Sequence, residues 1–262
     1  MIQRILLGLL VSLTGIAAPP AATPPPPAPS VLVSGGSMMN GDHFADSTLD
    51  VMRRHYAGCK KIALVIHASH PTERDRMEAR LQKAFAHIGV PAAESLHRHD
   101  AAGALALLGS ADGIFIGGGE TFVLLGELYR TGQLELIRQR VAAGVPYGGS
   151  SAGANVAGLR IGTTNDFPVA EIPSRTSLGV FPAVINPHHP VPAKKAEHDG
   201  RAGKIKIYLQ FNPTETVVAL ADASIARLHE GKVTLECGQA WLYRADGVRT
   251  LAVGEPVPEL AK

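Results

Sequence analysis

The 262-residue chain has few cysteines, few aromatics and almost no excess of charge, and each shortage narrows what it can do. Its net charge is only +2 and its aromatic content 5%. With no dense run of Lys and Arg, this gives no electrostatic footprint for nucleic acid. The two cysteines, Cys59 and Cys237, are far apart in sequence, and no H-E-x-x-H spacing occurs among the 11 histidines. The glycine-rich stretch at 117–119 also lacks the lysine of a phosphate-binding loop, so no motif calls for a metal or an organic cofactor. A long hydrophobic run is missing as well. The best, Ile5 to about Ala18, falls short of the roughly 20 apolar residues that a bilayer-spanning helix needs.

That run follows Arg4 and ends in small residues, the layout of a signal peptide over 1–18. The alternative is a buried N-terminal helix, but Pro24 to Pro27 would detach such a helix from any core. Residues 19–30 read as a Pro-rich linker in extended polyproline geometry, and 31–262 as one folded domain. An exported protein with no stable membrane anchor follows, periplasmic or secreted. Export permits a Cys59–Cys237 disulfide; two separate buried thiols are the equally open alternative.

With 45% apolar and 18% charged residues, the remainder suits one globular domain. Short apolar runs bounded by Gly or Pro alternate with amphipathic stretches, the pattern of an α/β fold with a mostly parallel sheet flanked by helices in three layers. Strands are expected at Val31–Ser34, Ile62–His67, Gly113–Ile116 and Val145–Gly149. Helices are expected at Thr72–Ile88, at Ala101–Leu108 capped by Asp100 and stopped by Gly109, at Thr121–Tyr129 and at Leu134–Ala143. Beyond Ser151, six prolines between 168 and 192 predict loops. Lys204–Phe211 is ambiguous between helix and strand. Alternation in Thr216–Leu220 and Val233–Cys237, with a turn at Glu230-Gly231, predicts a C-terminal β-hairpin region.

The chemistry concentrates at Gly149-Ser150-Ser151-Ala152-Gly153, a G-x-S-x-G string between a strand and a helix. That context suits a nucleophile elbow, where flanking glycines allow a sharp turn and the helix N-terminus aims N–H groups at the reaction centre. The Ala152 N–H is a natural oxyanion donor, and the Gly117–Glu120 turn offers a second. A serine hydroxyl needs an imidazole to take its proton, and the imidazole needs a carboxylate. Downstream loops supply His188, with His189 as competitor, and Asp166.

Four motifs in this order resemble the peptidase E and cyanophycinase family: Gly117-Gly118-Gly119-Glu120-Thr121-Phe122, Ser151-Ala152-Gly153-Ala154-Asn155, Thr163-Thr164-Asn165-Asp166-Phe167-Pro168 and Asn186-Pro187-His188. The resemblance covers nearly all of 31–248. It implies a glutamine-amidotransferase-like fold and a serine peptidase with Ser151 as nucleophile, His188 as base and the N–H groups of Gly119 and Ala152 as oxyanion hole. Two acids compete as the third member. Asp222 is favoured as the histidine's partner, and Asp166 as a loop-organising or substrate-site acid. The resemblance further implies a small aspartyl peptide as substrate, with Arg201 as the candidate carboxylate clamp. At 120 the peptidase E pattern has Asn, whereas this chain has Glu120. A carboxylate there would hold a substrate's α-amino group and repel an aspartyl side chain.

Three rival readings remain. A cyanophycinase-like or isoaspartyl peptidase differs only in pocket chemistry, and a non-catalytic binding module would keep the fold without turnover. An α/β-hydrolase esterase shares the elbow but needs more chain than the 37 positions separating Ser151 from His188. The sequence leaves monomer and homodimer both open.

Overall fold

A computed structural model describes residues 28–261, so the expected signal peptide and all of the linker except its last three residues lie outside the described residues. The chain runs through β1 (Ser30–Ser34), β2 (Met39–Asn40), β3 (His43–Phe44), α1 (Asp46–His55), β4 (Lys61–Val65), α2 (Arg74–His87), β5 (Ala92–Ser95), α3 (Ala101–Ser110) and β6 (Gly113–Ile116). It continues through α4 (Thr121–Arg130), α5 (Gln133–Ala142), β7 (Tyr147–Ser150), α6 (Ala152–Ala157), β8 (Val184–Asn186) and α7 (Lys195–Phe211). Last come β9 (Val217–Leu220), β10 (Ile225–His229), β11 (Lys232–Cys237), β12 (Ala240–Arg244) and β13 (Gly247–Thr250).

The main sheet has the order β11-β10-β1-β7-β6-β4-β5. Its five strands from β1 to β5 pair in parallel, and the antiparallel β10–β11 pair extends the β1 edge. A parallel sheet is covered on both faces, and the side chains of each strand alternate between two cores. Val31, Val33, Val65, Ile114 and Ile116 pack with Leu107, Leu124 and Ile137 from helices α3, α4 and α5. Leu32, Ile62, Leu64 and Phe115 pack on the other side with Met52 and Tyr56 from the α1 end and Phe85 from α2.

A second sheet, β13-β12-β9-β8, carries one parallel pair, β8 with β9. One of its faces (Ile185, Val218, Leu220, Leu242) joins the first core, and the other (Val184, Val217, Trp241, Tyr243) lies beneath Ile205 and Leu209 of α7.

The structure amends several expectations. The helix expected over 72–88 begins as a 3-10 turn at Pro71–Glu73 and becomes α-helical at Arg74. Asp100 does cap α3, accepting from the Gly103 N–H at 2.8 Å, but the helix runs past Gly109 to Ser110. The linker ends before Ser30, which already pairs with His229. The ambiguous segment Lys204–Phe211 is the second half of α7, a 17-residue helix, even though each of its interior glycines, Gly200 and Gly203, costs about 1 kcal/mol relative to Ala. Packing of Ile205 and Leu209, each at most 2% exposed, overrides that propensity. Cys59 and Cys237 are free thiols, one against Asp112 O and the other against Ala223 O.

Candidate active site

The carboxyl ends of β1, β4, β6 and β7 converge where ligands bind in open α/β sheets. At the end of β7 the chain turns into α6 within one residue, and Ser151 sits in that turn at φ +55 and ψ −111. The flanking glycines have no room for side chains. A Cβ at Gly153 would lie 2.1 Å from Ile116 O, and one at Gly149 would lie 2.4 Å from Gly153 O. The Ser151 N–H donates to Ser34 O at 3.1 Å, tying the turn to the end of β1.

Strands β8 and β9 bring His188 and Asp222 to Ser151. They pair in parallel with Asn186 opposite Ala219, so their carboxyl ends lie side by side and lead into His188 and Asp222. Three backbone bonds fix these ends to the main sheet and to each other: His188 N–H to Gly35 O at 2.9 Å, His189 N–H to Leu220 O at 2.9 Å, and Ala223 N–H to Gly36 O at 2.8 Å. His188 Nδ1 stands 2.5 Å from Asp222 Oδ1, and Nε2 stands 2.9 Å from Ser151 Oγ. An ionised carboxylate only accepts, so Nδ1 carries the proton and the bare Nε2 accepts from the serine hydroxyl. The His188 and Asp222 side chains are 44% and 57% exposed. Non-glycine residues with positive φ cluster here: Ser37, Ser151, His188 and Ala223, with Glu230 in a distant turn.

Ala152 is the first residue of α6, so its N–H has no partner four residues back. The Gly119 N–H also has no partner among the described residues. Gly118, beside it, lies against Ser151, since a Cβ there would approach Ser151 Cβ to 2.9 Å. Two N–H groups without partners among the described residues thus follow directly on Ser151 and on Gly118.

Asp166 is not brought to His188. Its Oδ2 accepts from the Thr121 N–H at 2.8 Å, capping α4 directly after the Gly117–Glu120 turn. Asn155, which the sequence did not mark as functional, extends this bracing. Its Nδ2 donates to the hydroxyls of Thr121 and Thr164 at 3.3 and 3.4 Å, linking α6 to α4 and to the loop. The competitor His189 is 1% exposed, with Nδ1 donating to Pro190 O at 3.0 Å and Nε2 facing Tyr243 Oη at 3.0 Å. Burial pulls its pKa down to about 4, so it is a neutral core histidine.

The Glu120 carboxylate is exposed and has no partner among the described residues, while its N–H donates to Ala68 O at 2.9 Å. Arg201 lies on α7, half-buried, with Nη1 at 3.4 Å from Asn186 Oδ1 and 3.5 Å from Pro187 O. Burial lowers its pKa, and it has no acidic partner among the described residues.

A strand-turn-helix nucleophile with an imidazole and a carboxylate in line, on a mostly parallel sheet, defines a serine hydrolase of α/β architecture. The sequence profile of peptidase family S51 matches residues 31–236, and the chain belongs to that family of serine-type peptidases. It is similar to peptidase E of Streptomyces coelicolor, with 33% identity over 235 residues that cover 88% of this chain and 94% of the relative. It is also similar to peptidase E of Pasteurella multocida, with 38% identity over 213 residues covering 80% and 88%. Among solved structures, a peptidase from an acI-B1 Actinobacterium shares the fold with a TM-score of 0.68 at 15% identity, over 88% of this chain and 97% of the other.

Proposed function

We propose that the chain is an exported dipeptidase or small-peptide peptidase that acts on N-terminal aspartyl substrates through an acyl-enzyme at Ser151. The observation that carries this reading is the single imidazole bridging Ser151 Oγ and Asp222 Oδ1, at 2.9 and 2.5 Å. Ser151 attacks the amide carbonyl while His188 Nε2 takes the hydroxyl proton, and the carbonyl oxygen gathers charge facing the N–H groups of Gly119 and Ala152. The imidazolium, steadied by Asp222, then protonates the departing amine. Water attacks the ester by the same route in reverse, releasing the acid and restoring Ser151.

Two further residues set the preference. Arg201, a half-buried cation beside Pro187, gains a partner when a substrate carboxylate binds. Glu120, one residue after the oxyanion donor Gly119, takes the free α-ammonium. Asp166 serves by holding the first turn of α4, and so the oxyanion turn, in place. Export rests on the signal-like layout of residues 1–18.

The test is hydrolysis of α-Asp-Leu, β-Asp-Arg, Ala-Leu and Asp-p-nitroanilide by the chain and by its Ser151→Ala variant. Turnover of α-aspartyl compounds that vanishes in the variant is expected. Preference for β-Asp-Arg would move the assignment to an isoaspartyl or cyanophycinase-like peptidase, and inactivity without labelling by a serine-directed phosphonate would indicate a binding module. N-terminal sequencing of the mature protein from fractionated cells tests export; an intact Met1 in the cytoplasmic fraction overturns it.

A further inference from the structure

A cavity of about 260 Å³ is walled by Met38, Met39, Phe44 and Met77 and also lined by Ser150, the residue before Ser151, and by Gly118, which packs against Ser151. It lies just below the roughly 300–1,000 Å³ usual for whole small-molecule sites, a size suited to one side chain rather than a folded-over peptide. Its position relative to the imidazole says which part of the substrate it meets. In the proposed mechanism His188 Nε2 must reach the nitrogen that departs, so the departing residue lies on the imidazole side of the reacting carbon. Gly36 packs against that ring so tightly that a Cβ there would sit 2.1 Å from His188 Cε1. The chain continues from Gly36 straight into Ser37, Met38 and Met39, which form the cavity wall.

The wall is held in place. Met38 O accepts from the Ala45 N–H at 2.8 Å and from the Thr48 hydroxyl at 3.2 Å, and Phe44 packs edge-on against Phe85 at 5.4 Å. The three methionines give an apolar, deformable lining. Arg80, the cation on the wall, has both Nε and Nη2 on Gly41 O, at 3.2 and 2.8 Å, and has no acidic partner among the described residues. A second cation entering this cavity would meet the Arg80 guanidinium and find no carboxylate on the lining.

We infer that this methionine-lined cavity is the subsite for the departing residue and that it selects uncharged apolar side chains, such as Leu, Met or Phe, over Arg and Lys. This inference rests on the serine-peptidase reading above. It separates the substrates that reading leaves together, because an enzyme built to release arginine would place an acid here.

The experiment compares kcat/KM for Asp-Leu and Asp-Arg, and for Ala-Leu and Ala-Arg, in the full chain and in its Met77→Glu and Met39→Glu variants. Wild type should favour Leu over Arg by at least about tenfold, the scale of discrimination that an apolar pocket supplies. Each variant should shrink that ratio by about tenfold or more, chiefly through slower Leu release and faster Arg release. Both methionines are only partly buried, so one misfolded variant leaves the other informative. A wild-type ratio near or below one, or a ratio unmoved in two folded variants, overturns the inference while peptidase activity persists. Failure of a fluorophosphonate to label Ser151, with no peptide cleaved, sinks the serine-peptidase reading itself and is seen independently of any ratio.

Discussion

The two sheets divide the work unequally. The parallel sheet carries Ser151 where the backbone has no freedom: Gly149, Ser151 and Gly153 are wedged among Ile116 O, Ser34 O and each other. The second sheet carries His188 and Asp222 on side chains about half exposed, joined to the first sheet through Gly35 and Gly36. Ser151 is thus positioned by burial and covalent geometry, and His188 and Asp222 by a few backbone hydrogen bonds at one joint. Damage on the first side should cost the fold, and damage on the second should cost the chemistry.

Substitutions separate the two. Ser151→Ala removes only the reacting atom and should lower kcat by about 10⁴-fold or more with an almost unchanged melting temperature. Asp222→Asn should lower kcat by roughly 10³–10⁴-fold, because the wrong tautomer of His188 is then favoured. Asp166→Ala is the contrast: it removes a cap from α4 and should cost about 1 kcal/mol of stability, with a much smaller kinetic effect. If Asp166→Ala proved the more damaging to kcat at equal stability, the assignment of the third member to Asp222 would be wrong.

The glycines sharpen the comparison. Gly153→Ala drives a methyl into Ile116 O and should destabilise by roughly 3 kcal/mol or more, read as lost soluble expression or a much lower denaturant midpoint. Gly36→Ala pushes instead on the His188 ring and should cost about 10²-fold in kcat/KM, through misplacement of the base, with a milder loss of about 1–2 kcal/mol. Equal unfolding in both would show the joint to be as rigid as the elbow.

The pH dependence of stability bears on the two cores beneath these sheets. Burial holds His55, under the main sheet, down to about 3, and His189, under α7, down to about 4. Both stay neutral in the folded protein, while in the unfolded chain each takes up a proton near pH 6.5. The unfolded state therefore binds more protons, and stability present above pH 6.5 falls as the pH drops towards 4 and then 3. Each contributes a slope of up to about 1.4 kcal/mol per pH unit. Urea midpoints at pH 7, 5.5 and 4.5 measure this, and a His55→Gln variant should show the flatter profile.

The sequence was most readable where local signals and burial agree. Val31–Ser34, Gly113–Ile116 and the strand before Ser151 are buried apolar or small runs that end in glycine-rich turns. The elbow itself is written in consecutive residues. Strand β5, with the sequence Ala-Ala-Glu-Ser, carries no such signal, because it is an edge strand covered by the buried Glu78, which accepts from the Ser95 N–H at 2.9 Å. Helix α7 was hidden by its two glycines, and the second sheet by its dependence on pairings between segments some 30 residues apart. The methionine cavity gave no sequence signal, since Met38 and Met77 meet only after the chain has folded.

The backbone around the site carries a further consequence. Ala223, immediately after Asp222, holds φ at +55, a conformation that costs an L-residue on the order of 1 kcal/mol and that glycine adopts freely. Any search for heat-resistant variants would be drawn to Ala223→Gly. Relief there would also let the Asp222 loop wander, so thermal tolerance would be gained at the expense of turnover, and selection for rate would keep alanine in place.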